Sequence, residues 1–140
     1  MARVYELSDE LAGLAMFADL SHPQLEAVAQ EFEEVWFGEG ERILREGLSG
    51  SGFYVILEGQ AAIRANGNDI AVLGRGDFFG DVSALLEVAP SADVVALQRI
   101  RCLHLAASAL HDFLLAHPAV MYRMLLDQTR RVRNAIRPRG

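Results

Sequence analysis

The distribution of glycine constrains this chain more than any other feature. Ten of its twelve glycines fall between Gly38 and Gly80, and only Gly13 and Gly140 lie outside that span. The segment from Val35 to Leu105 consists of short runs rich in Val, Ile, Phe and Tyr, cut by these glycines every few residues. Such runs between regular turn signals specify an antiparallel barrel or jelly roll. The predicted strands are 34–37, 42–46, 53–58, 60–65, 69–73, 77–79, 92–98 and 101–106. Asn66-Gly67-Asn68 is the clearest hairpin turn, because Asn and Gly tolerate the positive backbone angles it requires. Glu58-Gly59-Gln60 is expected to join its two strands in the same manner.

Both ends of the chain read as helix. Acids alternate with Leu7, Leu11, Leu14 and Met16 over residues 4–16, a spacing near the helical period. Ser21 is a cap for the next helix, and Gln24 can reach back to the Ser21 backbone. Leu25, Val28, Ala29 and Phe32 then form one apolar stripe, and His22 in the capping turn is expected to face solvent. After Leu105 a helix starts at Ala106 and runs to a break at His117, since the residue before a proline is pushed out of helical geometry. A final helix is predicted from about Pro118 to Ile136, with Met121, Leu125, Gln128, Val132 and Ala135 at heptad spacing. The fold class is therefore mainly β with flanking α-helices. It is an antiparallel β-roll (double-stranded β-helix, or jelly roll) over 34–106, with N-terminal helices and two C-terminal helices over 107–137. No repeat or linker divides residues 1–140, which are expected to form a single domain.

Composition narrows the function. A chain of 140 residues can bury a core without disulfides. Cys102, the only cysteine, excludes an internal disulfide and a cysteine-based metal site within one chain, and its strand-like surroundings predict a buried packing role. No apolar run approaches the roughly 20 residues of a membrane span, and the N-terminus carries no basic segment followed by an apolar one. A cytoplasmic protein without a membrane partner is expected. The net charge of −6 opposes a nucleic-acid-coating surface. Residues 1–40 hold nine acids against Arg3, whereas 118–140 hold six arginines against Asp127. Three readings stand: a tail steered to a second subunit's acidic head, an acidic protein partner, or a solvated helix face.

The chemistry concentrates in Gly76-Asp77-Phe78-Phe79-Gly80-Asp81-Val82-Ser83-Ala84-Leu85-Leu86-Glu87-Val88-Ala89-Pro90-Ser91-Ala92-Asp93-Val94-Val95-Ala96. An apolar strand ends at Phe78 and Phe79, Gly80 turns the chain, and Asp81 opens a short helical run over 82–86. A helix N-terminus presents unpaired N–H groups and a partial positive charge, which suits an anion.

This stretch resembles the phosphate-binding cassette of cyclic nucleotide-binding domains, whose pattern is roughly Phe-Gly-Glu, a small-and-leucine helix, then Pro-Arg-small-Ala-x-Val-x-Ala. The resemblance continues through Gly38-Glu39-Gly40-Glu41, Glu46-Gly47, the run from Gly52 to Gly59, and Leu73-Gly74-Arg75-Gly76-Asp77, and covers nearly the whole chain. It implies a ligand carrying a cyclic phosphate, a ribose hydroxyl and a purine, cAMP or cGMP, with no other cofactor. In the family an arginine forks onto the phosphate, a glutamate holds the ribose hydroxyl, and backbone N–H groups serve both. Here Asp81 falls at the glutamate, one methylene shorter. Aligning Ala92-x-Val94-x-Ala96 without a gap puts Ser91 at the small residue and Pro90 where the arginine belongs, and no arginine lies between Arg75 and Arg99. The candidate ligand-binding residues are Phe79, Gly80, Asp81, Val82, Ser83, Pro90, Ser91 and Ala92, with Gln128 and Thr129 on the final helix placed to meet a purine edge. Gln128 equally suits a polar seam residue that sets dimer register.

The family moves its final helix when ligand meets the cassette, and pairs that helix with a second subunit's. The expectation is a non-catalytic regulatory module, homodimeric through the last helix, with a degenerate cassette and so weak or altered nucleotide binding. The alternative is a scaffold or interaction domain that has lost the nucleotide. After the last helix the sequence reads Arg137-Pro138-Arg139-Gly140, with no helix-turn-helix, so DNA is not an expected partner. Metal and catalytic readings find no support, because His22, His104, His111 and His117 are scattered and Ser108, His111 and Asp112 fall within one helical turn instead of converging from separate elements.

Overall fold

The computed structural model describes residues 2–48 and 52–137. In chain order its elements are α1 (Ala2–Ala12), a 3-10 turn (Ala15–Phe17), α2 (His22–Glu31), β1 (Glu33–Phe37), β2 (Arg42–Leu44), β3 (Gly52–Glu58), β4 (Ala61–Ala65), β5 (Asn68–Leu73), β6 (Phe78–Phe79), α3 (Asp81–Leu86), β7 (Asp93–Ala96), β8 (Ile100–Ala106), a second 3-10 turn (Ala107–Ala109), α4 (Leu110–Ala116) and α5 (Pro118–Ile136). They fall into two compact units, Glu31–His111 and a helical unit of Met1–Gln30 with Asp112–Gly140.

The first unit is the roll. Its two four-stranded sheets have strand orders β1-β8-β3-β6 and β2-β7-β4-β5, and every pairing is antiparallel. One core joins the sheets. Ile43, Leu44, Ala61, Leu73, Val94 and Ala96 from one meet Tyr54, Ile56, Phe79, Ile100 and Cys102 from the other. Burying a side chain of leucine or isoleucine size contributes about 1.5–3 kcal/mol, so these alternate positions set the register of the strands. Every residue of β3 except Glu58 is buried, which marks it as the strand with apolar neighbours on both faces. Cys102 lies in this core, and burial pushes its thiol up to about 12.

The turns follow their residues. Asn66 and Gly67 take φ of 54° and 78°, and β4 and β5 pair across them as a hairpin. Glu58-Gly59-Gln60 departs from expectation: β3 and β4 belong to different sheets, so this is a corner that carries the chain from one layer to the other. Its geometry explains the glycine, since φ at Gly59 is 88° and a Cβ there would sit 2.6 Å from the Arg99 carbonyl oxygen.

In the helical unit the capping pair forms as expected. The Gln24 side-chain oxygen accepts from the Ser21 N–H at 2.8 Å, and the Ser21 hydroxyl oxygen accepts from the Gln24 N–H at 3.3 Å. His22 is exposed, with Nε2 2.8 Å from a Glu26 carboxylate oxygen. The helix break also falls at His117. The turn Ala15–Phe17 packs against α5. There Arg123 donates two hydrogen bonds to Asp19, at 2.7 and 2.8 Å, and this holds the Asp19 carboxyl below its ordinary value. On α5, Val120 and Met124 are buried. Met121, Tyr122, Leu125, Val132 and Ile136 are exposed. No helix among the described residues is long and apolar enough to cross a membrane.

Candidate functional site

The cassette begins on a fixed platform. In the turn before it, the Gly74 N–H donates to Asp77 Oδ2 at 2.8 Å and the Asp77 N–H donates to the Gly74 carbonyl at 2.9 Å. The Gly76 N–H donates to the Ile56 carbonyl and the Ile56 N–H to the Asp77 carbonyl, so the turn is tied to β3 in both directions. Phe79 then pairs with Tyr54 in the sheet, and its ring stacks on the Tyr54 ring at 5.0 Å and 13°. Phe79 is thus a core residue whose side chain anchors the entry to the site.

Gly80 makes the reversal from strand to helix. Its φ is 86°, and a Cβ would collide with the Gly52 carbonyl. It is the N-cap of α3, which has no side-chain cap. Asp81 occupies the first helical position and is buried, and the Ser83 hydroxyl donates back to the Gly80 carbonyl at 3.3 Å. An acidic side chain in a first turn is favoured by the helix dipole. Val82 points outward and is exposed. The helix stops at Glu87, a residue other than glycine held in the left-handed region at φ 56°.

The second half of the cassette is held by the loop between β2 and β3. Pro90 is buried, and its carbonyl accepts from the Gly47 N–H at 2.9 Å. Three residues on, Asp93 Oδ1 accepts from the Glu46 N–H at 2.7 Å, and the other Asp93 oxygen lies 3.8 Å from Arg42 Nε. Ser91 is exposed and Ala92 half-buried. Asp93 is the residue that sequence reasoning missed. A carboxylate opening a strand was the available signal, since Asp readily accepts from nearby backbone amides.

Arg64 and Arg75, which border this sheet, are occupied elsewhere. In β7, Val94 and Ala96 face the core with Ile63 and Ala61 opposite them, so by strand alternation Asp93 and its cross-strand partner Arg64 lie on the other face. Arg64 Nε donates to Asp69 at 2.6 Å, which lowers the Asp69 carboxyl and raises the guanidinium. Arg75 donates to the Leu57 carbonyl at 3.1 Å.

Phe79, Gly80, Asp81, Val82, Ser83, Pro90, Ser91 and Ala92 are therefore brought together in one unit. Gln128 and Thr129 belong to the other, on α5. The Thr129 hydroxyl donates to the Leu125 carbonyl at 2.7 Å, and Gln128 is half-buried. Ser108, His111 and Asp112 are all exposed, and the His104 ring lies 4.9 Å from the Tyr54 ring, tilted by 43°. Among the described residues, no group of three or more His, Cys, Asp or Glu is placed to hold a metal ion. The sequence also gave no hint of a cavity of about 550 Å3 beside α3. Its wall runs from Ser83 to Leu85, along the turn Glu87 to Pro90, and across Ala107, Ser108 and His111.

Residues 34–117 match the family model described as "Cyclic nucleotide-binding domain". The chain is 29% identical over 111 residues to the cAMP-dependent protein kinase regulatory subunit of Mucor circinelloides f. lusitanicus, a match that covers 76% of this chain and 26% of that protein. The structure of the catabolite activator protein of Thermus thermophilus superimposes with a TM-score of 0.76 at 26% identity, over 86% of this chain and 59% of that one. A triple mutant of the regulatory subunit of a cAMP-independent protein kinase A from Trypanosoma brucei, described as bound to cAMP in its A site, superimposes with a TM-score of 0.74 at 26% identity, over 91% and 47%. The chain spans about a quarter or less of the length of the curated relatives it matches (14% and 26% for two of them).

Proposed function

Because the chain belongs to the cyclic nucleotide-binding domain family, we propose that it is a non-catalytic regulatory module whose cassette is degenerate and binds cyclic nucleotide weakly. One observation carries this reading. Pro90, which the gapless alignment puts at the phosphate arginine, is buried and carries neither charge nor N–H, and its carbonyl is already engaged by Gly47. A charge-assisted hydrogen bond is worth roughly 1.5–3 kcal/mol, so its loss weakens binding by on the order of tenfold to a hundredfold. Gly80, Asp81 and Ser83 keep the turn and helix start, so the cradle keeps its shape while losing its strongest contact. The similar Trypanosoma brucei regulatory subunit supports the reading. It belongs to a protein kinase A described as cAMP-independent, and the triple mutant described as bound to cAMP has an arginine among its three changes.

Isothermal titration with cAMP and with cGMP tests the proposal. Saturable binding with a dissociation constant between about 10 µM and 1 mM is expected. Tighter binding would contradict a degenerate cassette.

A second reading, a scaffold that has lost the nucleotide, rests on the same face of α5. Tyr122, Leu125, Val132 and Ile136 follow one another at steps of three, seven and four, and all are exposed. A stripe of that size is the seam of a helix pair, which makes a homodimer through α5 part of both readings. No heat with either nucleotide at millimolar concentration would favour the scaffold.

A further inference from the structure

The cavity beside α3 has a chemistry unlike that of a phosphate site. Its volume, about 550 Å3, falls in the range that holds small organic ligands. Ala84, Leu85, Val88, Ala89, Pro90 and Ala107 make most of its wall apolar, and no arginine lines it. Among the described residues, neither the Glu87 carboxylate nor the Ser108 hydroxyl has a hydrogen-bond or ion-pair partner. Glu87 is also the residue held at φ 56°, and such a conformation in a residue other than glycine or asparagine is uncommon and costs backbone energy. That conformation ends the helix and places a carboxylate on the wall. His111 completes the polar side of the cavity.

We propose that this cavity is a second ligand site, distinct in chemistry from the cyclic nucleotide cradle, that takes a small organic cation with an apolar body, such as an aryl- or alkylammonium. The apolar wall takes the hydrocarbon, and the ammonium donates charge-assisted hydrogen bonds to the Glu87 carboxylate and a further one to the Ser108 hydroxyl oxygen. An anion is repelled by Glu87, and no arginine in the wall offsets it. The wall spans α3, the turn after it and the second 3-10 turn, so the ligand bridges the cassette helix and the start of the C-terminal helices. The wall shares Ser83 and Pro90 with the cradle, whereas Glu87, Ser108 and His111, which set its chemistry, are not among the cradle residues.

The test is titration of the full 15N-labelled chain with phenethylammonium chloride, with phenethyl alcohol as the neutral near-isostere. Saturable shifts confined to the amides of residues 83–89 and 107–111 are expected, with a dissociation constant on the order of 1 mM. The alcohol is expected to bind at least about fivefold more weakly. Glu87→Gln is expected to remove the preference for the cation. Glu87→Gly should do the same in a residue suited to φ 56°, so a loss there cannot be assigned to unfolding. Shifts that do not saturate by about 20 mM, that fall elsewhere, or a preference for the cation that both variants keep at its wild-type size would overturn the proposal.

Discussion

At the scale of single residues, one missing side chain shapes the site and one buried thiol bears on the core. Gly80 sits where φ is 86° and where a Cβ would strike the Gly52 carbonyl. Gly80→Ala is therefore expected to lower stability by about 2 kcal/mol or more. Gly40→Ala, at φ 84° with nothing within 4 Å of the new Cβ, should cost only about 1 kcal/mol. Equilibrium denaturation of the two variants checks the difference, and equal losses would remove the close approach as the cause. Cys102 supplies a pH dependence. Its thiol titrates near 9.0 when unfolded and is pushed up to about 12 by burial, so the folded state holds the proton that the unfolded state releases. This contribution is intact below pH 9.0 and is lost as pH rises towards 12. Stability is thus expected to fall as pH rises from about 9 towards 12, with a shallower fall in Cys102→Ala; parallel slopes would contradict the assignment. The gapless alignment proposes Pro90 as the residue at the arginine's place. The tether from Gly47 to its carbonyl was not legible, since backbone bonds between segments 43 residues apart leave no mark on either sequence.

At the scale of elements, the strands were readable to within one or two residues because turns and apolar runs are both local signals. Gly59 illustrates the limit. A positive φ announces a reversal, but whether the next strand pairs with the last or crosses to the facing sheet is decided by packing over the whole roll. The heptad stripe of α5 was visible as Met121, Leu125, Gln128, Val132 and Ala135, and exposure widens it to Tyr122 and Ile136. Periodicity gives the face and not its occupant. If α5 pairs two chains, Leu125→Asp with Val132→Asp places charges in an apolar seam and should turn a dimer into a monomer in sedimentation equilibrium. A wild-type monomer at concentrations of about 100 µM would contradict the pairing.

At the scale of the whole molecule, the fold was legible and the ligand was not, for one physical reason. The roll is specified by many residues acting together, such as the eleven core positions shared between its two sheets, and tolerates the loss of any single signal. On the proposed reading the ligand depends on one cation at one position, and Pro90 there leaves the cradle standing while removing its strongest contact. The most direct test is Pro90→Arg, with cAMP and cGMP titrated calorimetrically into the variant and the wild-type chain. The variant should bind at least about tenfold more tightly, as one charge-assisted hydrogen bond predicts. Unchanged affinity, with the variant still folded, would mean that Pro90 does not occupy the arginine's place.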